Sequence, residues 1–196
     1  RNVRRRRMIF KRKKTLKTFS KPCYILFMDE INNAYTVRKM TSTEYGALAD
    51  FTYQAIFIPD GAVAPPKTIV NTPELRIYYE KFGQLPLDTA FAAEFQGKVV
   101  GAAWARIIND YGHVNDDTPS VAIAVLEDHR GKGIGTALLE KLLAELGHFG
   151  ISAASLSVQK ENPAVHLYER LGFVTVKETE EEFVMFVRLP QQTNGR

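Results

Sequence analysis

The sequence predicts a single α/β domain on three observations. Stretches with the two-residue alternation of β-strands recur along the chain, and stretches with helical periodicity and recognisable start and stop residues lie between them. A glycine-rich stretch at 130–136 joins one such strand to one such helix. Strands outnumber helices and no segment repeats, which fits one interleaved unit and excludes a solenoid. At 196 residues the chain is long enough to bury a sizeable core.

In chain order, Tyr35-Thr-Val-Arg-Lys39 alternates as a short strand, and Thr41-Ser-Thr-Glu44 has the spacing of a helix capping box. A first helix is expected from about Ser42 to Ile58, stopped by Pro59-Asp60-Gly61, with Pro65-Pro66 in an exposed loop. Thr72-Pro73-Glu74 sets a cap, a first-turn proline and an acid at the positive end of a helix expected to run to Gly83. Residues 90–95 and 98–108 read as two strands joined by a tight Gln96-Gly97 turn, and 110–119 as a polar loop. Ser120-Val-Ala-Ile-Ala-Val125 is a strand. Leu138, Leu142 and Leu146, widened by Leu139 and Leu143, form the apolar stripe of the helix after the glycines, with Gly147 as its C-terminal stop. Residues 154–158 are the next strand, and Asn162-Pro163 starts a helix that ends at Leu171-Gly172. Residues 173–177 and 183–189 form a closing hairpin across an acidic turn, Glu178 to Glu182.

Composition narrows the class further. With 45% hydrophobic and 24% charged residues and only 9 Pro and 13 Gly, the chain is neither disordered nor collagen-like. One cysteine, Cys23, makes no internal disulfide and no multi-Cys zinc site, so no metal is expected. No apolar run approaches the ~18 residues of a membrane span, and the segment Cys23 to Met28 is too short for a signal peptide. These points predict a soluble cytoplasmic protein with no membrane partner. The net charge of +4 misleads, because residues 1–28 hold eleven basic side chains and no acid, leaving fifteen basic against twenty-two acidic in 29–196. Three readings of residues 1–28 stand side by side: an arm for nucleic acid or an anionic surface, a targeting presequence, or sequence upstream of a natural start at Met28. The last is the expectation taken forward, so nucleic acid is not expected as a partner unless this extension is native. The division is then a basic extension at 1–28, one domain at 29–190 and a polar tail at 191–196.

The stretch with chemistry in it is Arg130-Gly131-Lys132-Gly133-Ile134-Gly135-Thr136. Three glycines in five residues let backbone N–H groups turn toward one concavity, and a helix N-terminus adds about half a positive charge. That combination suits a pyrophosphate. The same glycines could instead serve only tight strand-to-helix packing. The spacing fits neither a Walker loop nor the dinucleotide fingerprint.

Arg130-x-x-Gly133-x-Gly135 resembles the Q/R-x-x-G-x-G/A signature of the GNAT superfamily of N-acetyltransferases. The segment Asn162-Pro-Ala-Val-His166-Leu-Tyr168-Glu-Arg-Leu-Gly172-Phe173 resembles that family's second motif, and Phe91 to Arg106 its central hairpin. The resemblance covers about residues 35–189. It implies a central mixed, mostly antiparallel sheet flanked by helices and splayed at an acetyl-CoA site, with acetyl-CoA as acetyl donor to a primary amine.

It also implies roles for residues. The strand Ile123 to Val125 would bind the pantetheine arm like an added strand, and a backbone N–H at Ile123 or Val125 would polarise the thioester carbonyl. Arg130, Gly131, Lys132, Gly133, Ile134, Gly135 and Thr136 would hold the pyrophosphate. Asn162 would hydrogen-bond the CoA arm, or act as a plain helix cap. Tyr168 falls where the family places the general acid that protonates the departing thiolate; an aromatic packing between helix and sheet is its other reading. Many members carry a glutamate toward the start of the strand that here reads 120–125, and this strand has no acid. The nearest candidates for a base are Asp116, Asp117 and His113, with Asp117 taken as the expected one. The alternative function is a non-catalytic acyl-CoA-binding regulatory module. Tyr53, Phe57, Tyr78, Tyr79, Phe82 and Trp104 are expected either to line an acceptor pocket, for a small molecule or a lysine or N-terminal amine, or to pack in the core. Some members of the family form homodimers through the terminal strands.

Overall fold

The structure, a computed structural model, describes residues 35–190. The basic extension, the lead-in to residue 34 and the polar tail lie outside the described residues. Seven strands form one sheet in the order β1-β2-β3-β4-β5-β7-β6: β1 Thr36–Lys39, β2 Thr89–Phe95, β3 Lys98–Arg106, β4 Ser120–Val125, β5 Ala153–Gln159, β6 Val174–Glu178 and β7 Glu182–Arg188. Every neighbouring pair is antiparallel except β4 and β5.

Strands β2 and β3 are buried along nearly their whole length, which is why they read as a continuous small apolar run and not as an alternation. Their turn needs two left-handed residues, and Gln96 (φ 51°) and Gly97 (φ 76°) supply them. Two helices, α3 Ile134–His148 and α4 Val165–Arg170, cover one face of the sheet. There Leu138, Leu139, Leu142 and Leu146 pack on Val100, Val121, Leu156 and Met185. On the other face α1, Leu48–Ala55, sets Leu48 and Phe51 against Ala92, Ala102, Trp104 and Ala124. A 3-10 turn, Ser42–Ala47, leads into α1, and the Thr41 N–H donates to Glu44 Oε2 at 2.8 Å as the capping spacing predicts. The first helix is therefore shorter than expected and begins as 3-10.

The second expected helix is cut further. Only α2, Pro73–Arg76, is α-helical, and turns carry the chain to Gly83. The cause lies in β3, where the buried Arg106 guanidinium donates to the carbonyls of Ile77 (2.6 Å) and Glu80 (3.0 Å). Those carbonyls serve a side chain and do not build a helix. Arg106 also forms a two-pronged pair with Asp88, Nε to Oδ1 and a terminal nitrogen to Oδ2, both at 2.9 Å. The side chains are 4% and 0% exposed.

A third correction concerns the end of α3. Gly147 lies inside the helix, and the left-handed stop is Gly150 (φ 79°), with the Ile151 N–H returning to the Leu146 carbonyl at 3.1 Å. Gly147 instead faces Leu189 and Pro190, where a Cβ would come within 3.4 Å of the Pro190 carbonyl oxygen. Helix α4 starts two residues later than Pro163 suggests.

Candidate active site

The sheet opens at its middle. Strands β4 and β5 pair at one position, Ser120 with Ser155, and the Ser155 N–H donates to the Pro119 carbonyl at 3.1 Å. Beyond that point β4 stays paired to β3 and β5 stays paired to β7, so the two central strands diverge. The loop before β4 presses on β5 close to this divergence. A Cβ on Gly112 would lie 2.9 Å from backbone atoms of Leu156 and Ser157, so only glycine permits the approach.

The glycine loop stands at the far end of β4. Gly131 (φ 71°) and Gly133 (φ 78°) are left-handed, and Gly133 is the N-cap residue of α3 with no side chain capping that end. The first α3 amide returned to the chain is that of Ala137, to the Gly133 carbonyl at 3.1 Å, which leaves the amides of Ile134, Gly135 and Thr136 at the helix's positive end. Gly131 has open space where a Cβ would stand. Gly135 does not: a Cβ there would sit 3.2 Å from Leu167 Cδ2 and 3.7 Å from Ile123 Cδ1, so this glycine brings α3, α4 and β4 together. The packing reading holds for Gly135, while Gly131 and Gly133 supply left-handed backbone ahead of the uncapped helix start. Arg130 and Lys132 are exposed, and each turns back on the loop, Arg130 Nε to the Val125 carbonyl (2.9 Å) and Lys132 Nζ to the Asp128 carbonyl (2.8 Å).

Between the diverging strands lies a cavity of about 210 Å³. Ile123, Asn162 and Tyr168 line it together, as do Phe57, Tyr78 and Trp104 from the expected pocket set. Tyr168 is buried, edge-on to Phe173 with ring centroids 5.8 Å apart, and burial pushes its phenol up to about 12. Its proton is therefore held firmly at neutral pH. Asn162 accepts the Ala164 N–H at Oδ1 (2.9 Å) in the turn before α4, whose N-cap is Ala164 and not Asn162 as expected, and Asn162 also borders the cavity.

Tyr53, Tyr79 and Phe82 are placed elsewhere. Tyr53 donates to the Pro65 carbonyl (2.7 Å), Tyr79 to the Val70 carbonyl (3.1 Å), and Phe82 packs under the Arg106 guanidinium (5.2 Å). The candidate bases also stand apart from the cavity lining. Asp116 and Asp117 are exposed loop residues; the Asp117 N–H caps on Asn115 Oδ1 (3.0 Å), and His113 Nε2 is 3.6 Å from Asp116 while its Nδ1 lies 3.2 Å from the Ile108 carbonyl oxygen.

Three carboxylates that sequence reasoning passed over connect to the cavity wall. Asp88, through Arg106, fixes the turn that carries Tyr78, and the Trp104 indole N–H donates to the Tyr78 carbonyl at 3.1 Å. Asp110 accepts from the Tyr78 hydroxyl and from Ser120 Oγ, each at 2.6 Å, at the point of divergence. Burial and this carboxylate raise the Tyr78 phenol far above its ordinary value. Glu182, the first residue of β7, lines the cavity itself. Its sequence signal was present but weak: it ends the acidic turn, and Phe183 and Val184 after it set the alternation that turns it away from the α3 face.

A split sheet, a glycine loop leading into a helix, and a tyrosine in the split thus come together in one α/β domain. The family model described as Acetyltransferase (GNAT) family matches residues 61–173. An N-alpha-acetyltransferase of Sulfurisphaera tokodaii is 39% identical over 97 residues, which are 44% of this chain and 57% of that protein. Among solved structures, the ribosomal-protein-S18-alanine N-acetyltransferase of Escherichia coli superposes with a TM-score of 0.56 at 22% identity, over 83% of this chain and 98% of that one. A Salmonella typhimurium protein solved with its cofactor acetyl-CoA gives 0.58 at 21% identity, over 82% and 97%. The chain belongs to the GNAT acetyltransferase family. It spans 29% and 57% of the length of two curated relatives that it matches. Among the described residues no helix is long and apolar enough to cross a membrane.

Proposed function

We propose that this protein transfers the acetyl group of acetyl-CoA to a primary amine by direct attack, with β4, the glycine loop and Tyr168 as the donor half of the site. The observation that carries this reading is the parting of β4 from β5 after one paired position, with Tyr168 in the opening and an uncapped helix start at its far end.

The residues present fit the donor. The freed edge of β4 at Ile123 offers backbone groups for a pantetheine arm, with the N–H of Ile123 or Val125 facing the developing negative charge on the thioester oxygen. The left-handed Gly131 and Gly133 and the amides of Ile134, Gly135 and Thr136 suit a pyrophosphate. Arg130 and Lys132 contribute positive charge from exposed positions. Asn162, with Oδ1 engaged by the Ala164 N–H in the turn before α4, has its amide nitrogen for the arm.

Acetyl-CoA, when bound, supplies the acetyl group as a thioester with a fair leaving group, since a thiol has a pKa of about 8.5. Tyr168 lines the cavity and holds its phenolic proton at neutral pH, and in this reading it would give that proton to the departing thiolate. Phe57, Tyr78 and Trp104 wall the acceptor half with apolar and aromatic surface. The relatives' names include a ribosomal protein bS18-alanine N-acetyltransferase and an L-2,4-diaminobutyric acid acetyltransferase, so a protein amine and a small-molecule amine both stay within the proposed acceptor class.

Tyr168→Phe tests the reading. It is expected to lower kcat about 10- to 100-fold, at or below the lower limit of the general-acid range because thiolate leaves readily, with CoA affinity unchanged in calorimetry. Unaltered kcat removes Tyr168 from the mechanism. Binding of acetyl-CoA without turnover on any amine favours the regulatory-module reading.

A further inference from the structure

Glu182 differs from every other carboxylate near the opening. Asp110 is engaged by Tyr78 and Ser120, and Asp88 by Arg106. The carboxylate of Glu182 has no hydrogen-bond or ion-pair partner among the described residues, although the residue is half-buried and lines the cavity. Its position follows from register. Glu182 pairs with Gln159, and the two side chains share the sheet face opposite α3, because Phe183 and Val158 pack into the α3-side core. That face is the one α1 and the Tyr78 turn cover, so the carboxylate enters the cavity from the acceptor half. A half-desolvated anion with no partner is costly, and a cation seated against it relieves that cost.

We propose that Glu182 binds the acceptor's ammonium group and takes its proton, acting as the base that β4 lacks; this rests on the acetyltransferase reading above. In the step, one N–H bond of the ammonium breaks, its electron pair stays on nitrogen as the attacking lone pair, and the proton forms an O–H bond on the Glu182 carboxylate. The proton leaves to solvent through the half-exposed side of the same residue. An amine with a lysine-like pKa of about 10 is almost wholly protonated at pH 7, so the reaction needs this transfer. Burial first, and the neighbouring Glu181 second, raise the Glu182 carboxyl above its ordinary value, which makes it a stronger acceptor of that proton. The other groups around it keep their own tasks. Tyr78 donates to Asp110, Lys160 Nζ is bound to Glu178 Oε1 at 2.6 Å, Tyr111 shares the cavity wall, and Tyr168 stands on the donor side.

The test uses the full chain, wild type and Glu182→Gln and Glu182→Asp, with benzylamine, 1,4-diaminobutane and Nα-acetyl-lysine amide as probes. Amine binding to the CoA-loaded protein is measured by calorimetry, separately from thiol release followed from pH 6 to 9. At least one probe is expected to bind wild type, with Glu182→Gln weakening it tenfold or more at pH 7 and leaving CoA affinity unchanged. In turnover, Glu182→Gln is expected to lose fiftyfold or more in kcat/KM at pH 7, with the loss shrinking as pH rises and free amine accumulates, and Glu182→Asp to recover part of it. If amines bind in a Glu182-dependent way but no thiol is released, the acetyltransferase reading fails and the ammonium site stands. If the variants bind and turn over amines within threefold of wild type, or if no probe binds wild type, the Glu182 proposal is overturned.

Discussion

The pair between Arg106 and Asp88 holds the turn that carries Tyr78 to the cavity wall, and replacing Asp88 with Asn measures how much depends on it. The two Asp88 oxygens accept four donors: two from the Arg106 guanidinium at 2.9 Å, the Gly83 N–H at 2.7 Å and the Leu85 N–H at 3.2 Å. Asparagine fills the same volume with one acceptor oxygen and an NH2 group that must face donors. Arg106 is left charged and buried at 4% exposure, and at least one buried donor is orphaned. Removing one partner of a buried pair costs about 3–5 kcal/mol, which in a domain of this size lowers Tm by about 6–20 °C. Urea unfolding is readily followed through Trp104, the chain's single tryptophan, which is 1% exposed and hydrogen-bonded to the same turn. Arg76→Ala serves as the control, since its partner Glu80 lies 3.1 Å away at the surface and the pair is worth about 0.5 kcal/mol or less. A loss below about 1 kcal/mol for Asp88→Asn would show that the pair is not what holds the Tyr78 turn.

Four further outcomes are expected. Gly133→Ala, at φ 78°, is predicted to strain the start of α3 by about 1–2 kcal/mol and to weaken CoA binding in calorimetry; unchanged affinity would speak against the anion cradle. Gly112→Ala forces a contact of 2.9 Å with the β5 backbone, and a thermal melt should show a loss of about 1–3 kcal/mol as the loop is pushed off the strand. Leu138→Ala, at 0% exposure in the core under α3, is predicted to cost about 2–5 kcal/mol in urea unfolding. Hydrogen bonds from Arg38, and then from the Thr41 N–H, hold the Glu44 carboxyl down from 4.5 to about 2. A carboxyl depressed in the folded state stabilises fully above its unfolded value, so the Tm gap between wild type and Glu44→Gln should be present at pH 7 and close as pH falls from 4.5 toward 2. That gap corresponds to about 1 kcal/mol at most, because the pair is only partly buried.

Local signals in the sequence were enough for the strands and for the backbone of the glycine loop. Gln96-Gly97, Thr41 to Glu44 and the Gly131–Gly133 pair act through their own backbone, so composition at those positions decides the geometry. The short second helix was not legible, because what ends it is Arg106, a residue some 26 positions away that takes its carbonyls. The stop of α3 was assigned to Gly147 on spacing alone, whereas the left-handed conformation falls at Gly150 and Gly147 answers to Pro190 across the interior. The acceptor side was the least legible. Proximity along the chain favours Asp117 as a base, but the loop holding it points to solvent, while Asp110 and Glu182 reach the opening through strand register and loop packing.

The most direct test of acetyl transfer at the β4–β5 opening is a product stoichiometry. The full chain is incubated with acetyl-CoA and each probe amine, and released thiol and acetylated amine are counted in the same sample. One N-acetylated amine for each thiol released, lost in parallel when Tyr168 is replaced by Phe, is the result the account predicts. Thiol release that does not depend on the amine, or CoA binding with no acetylated product, would contradict it.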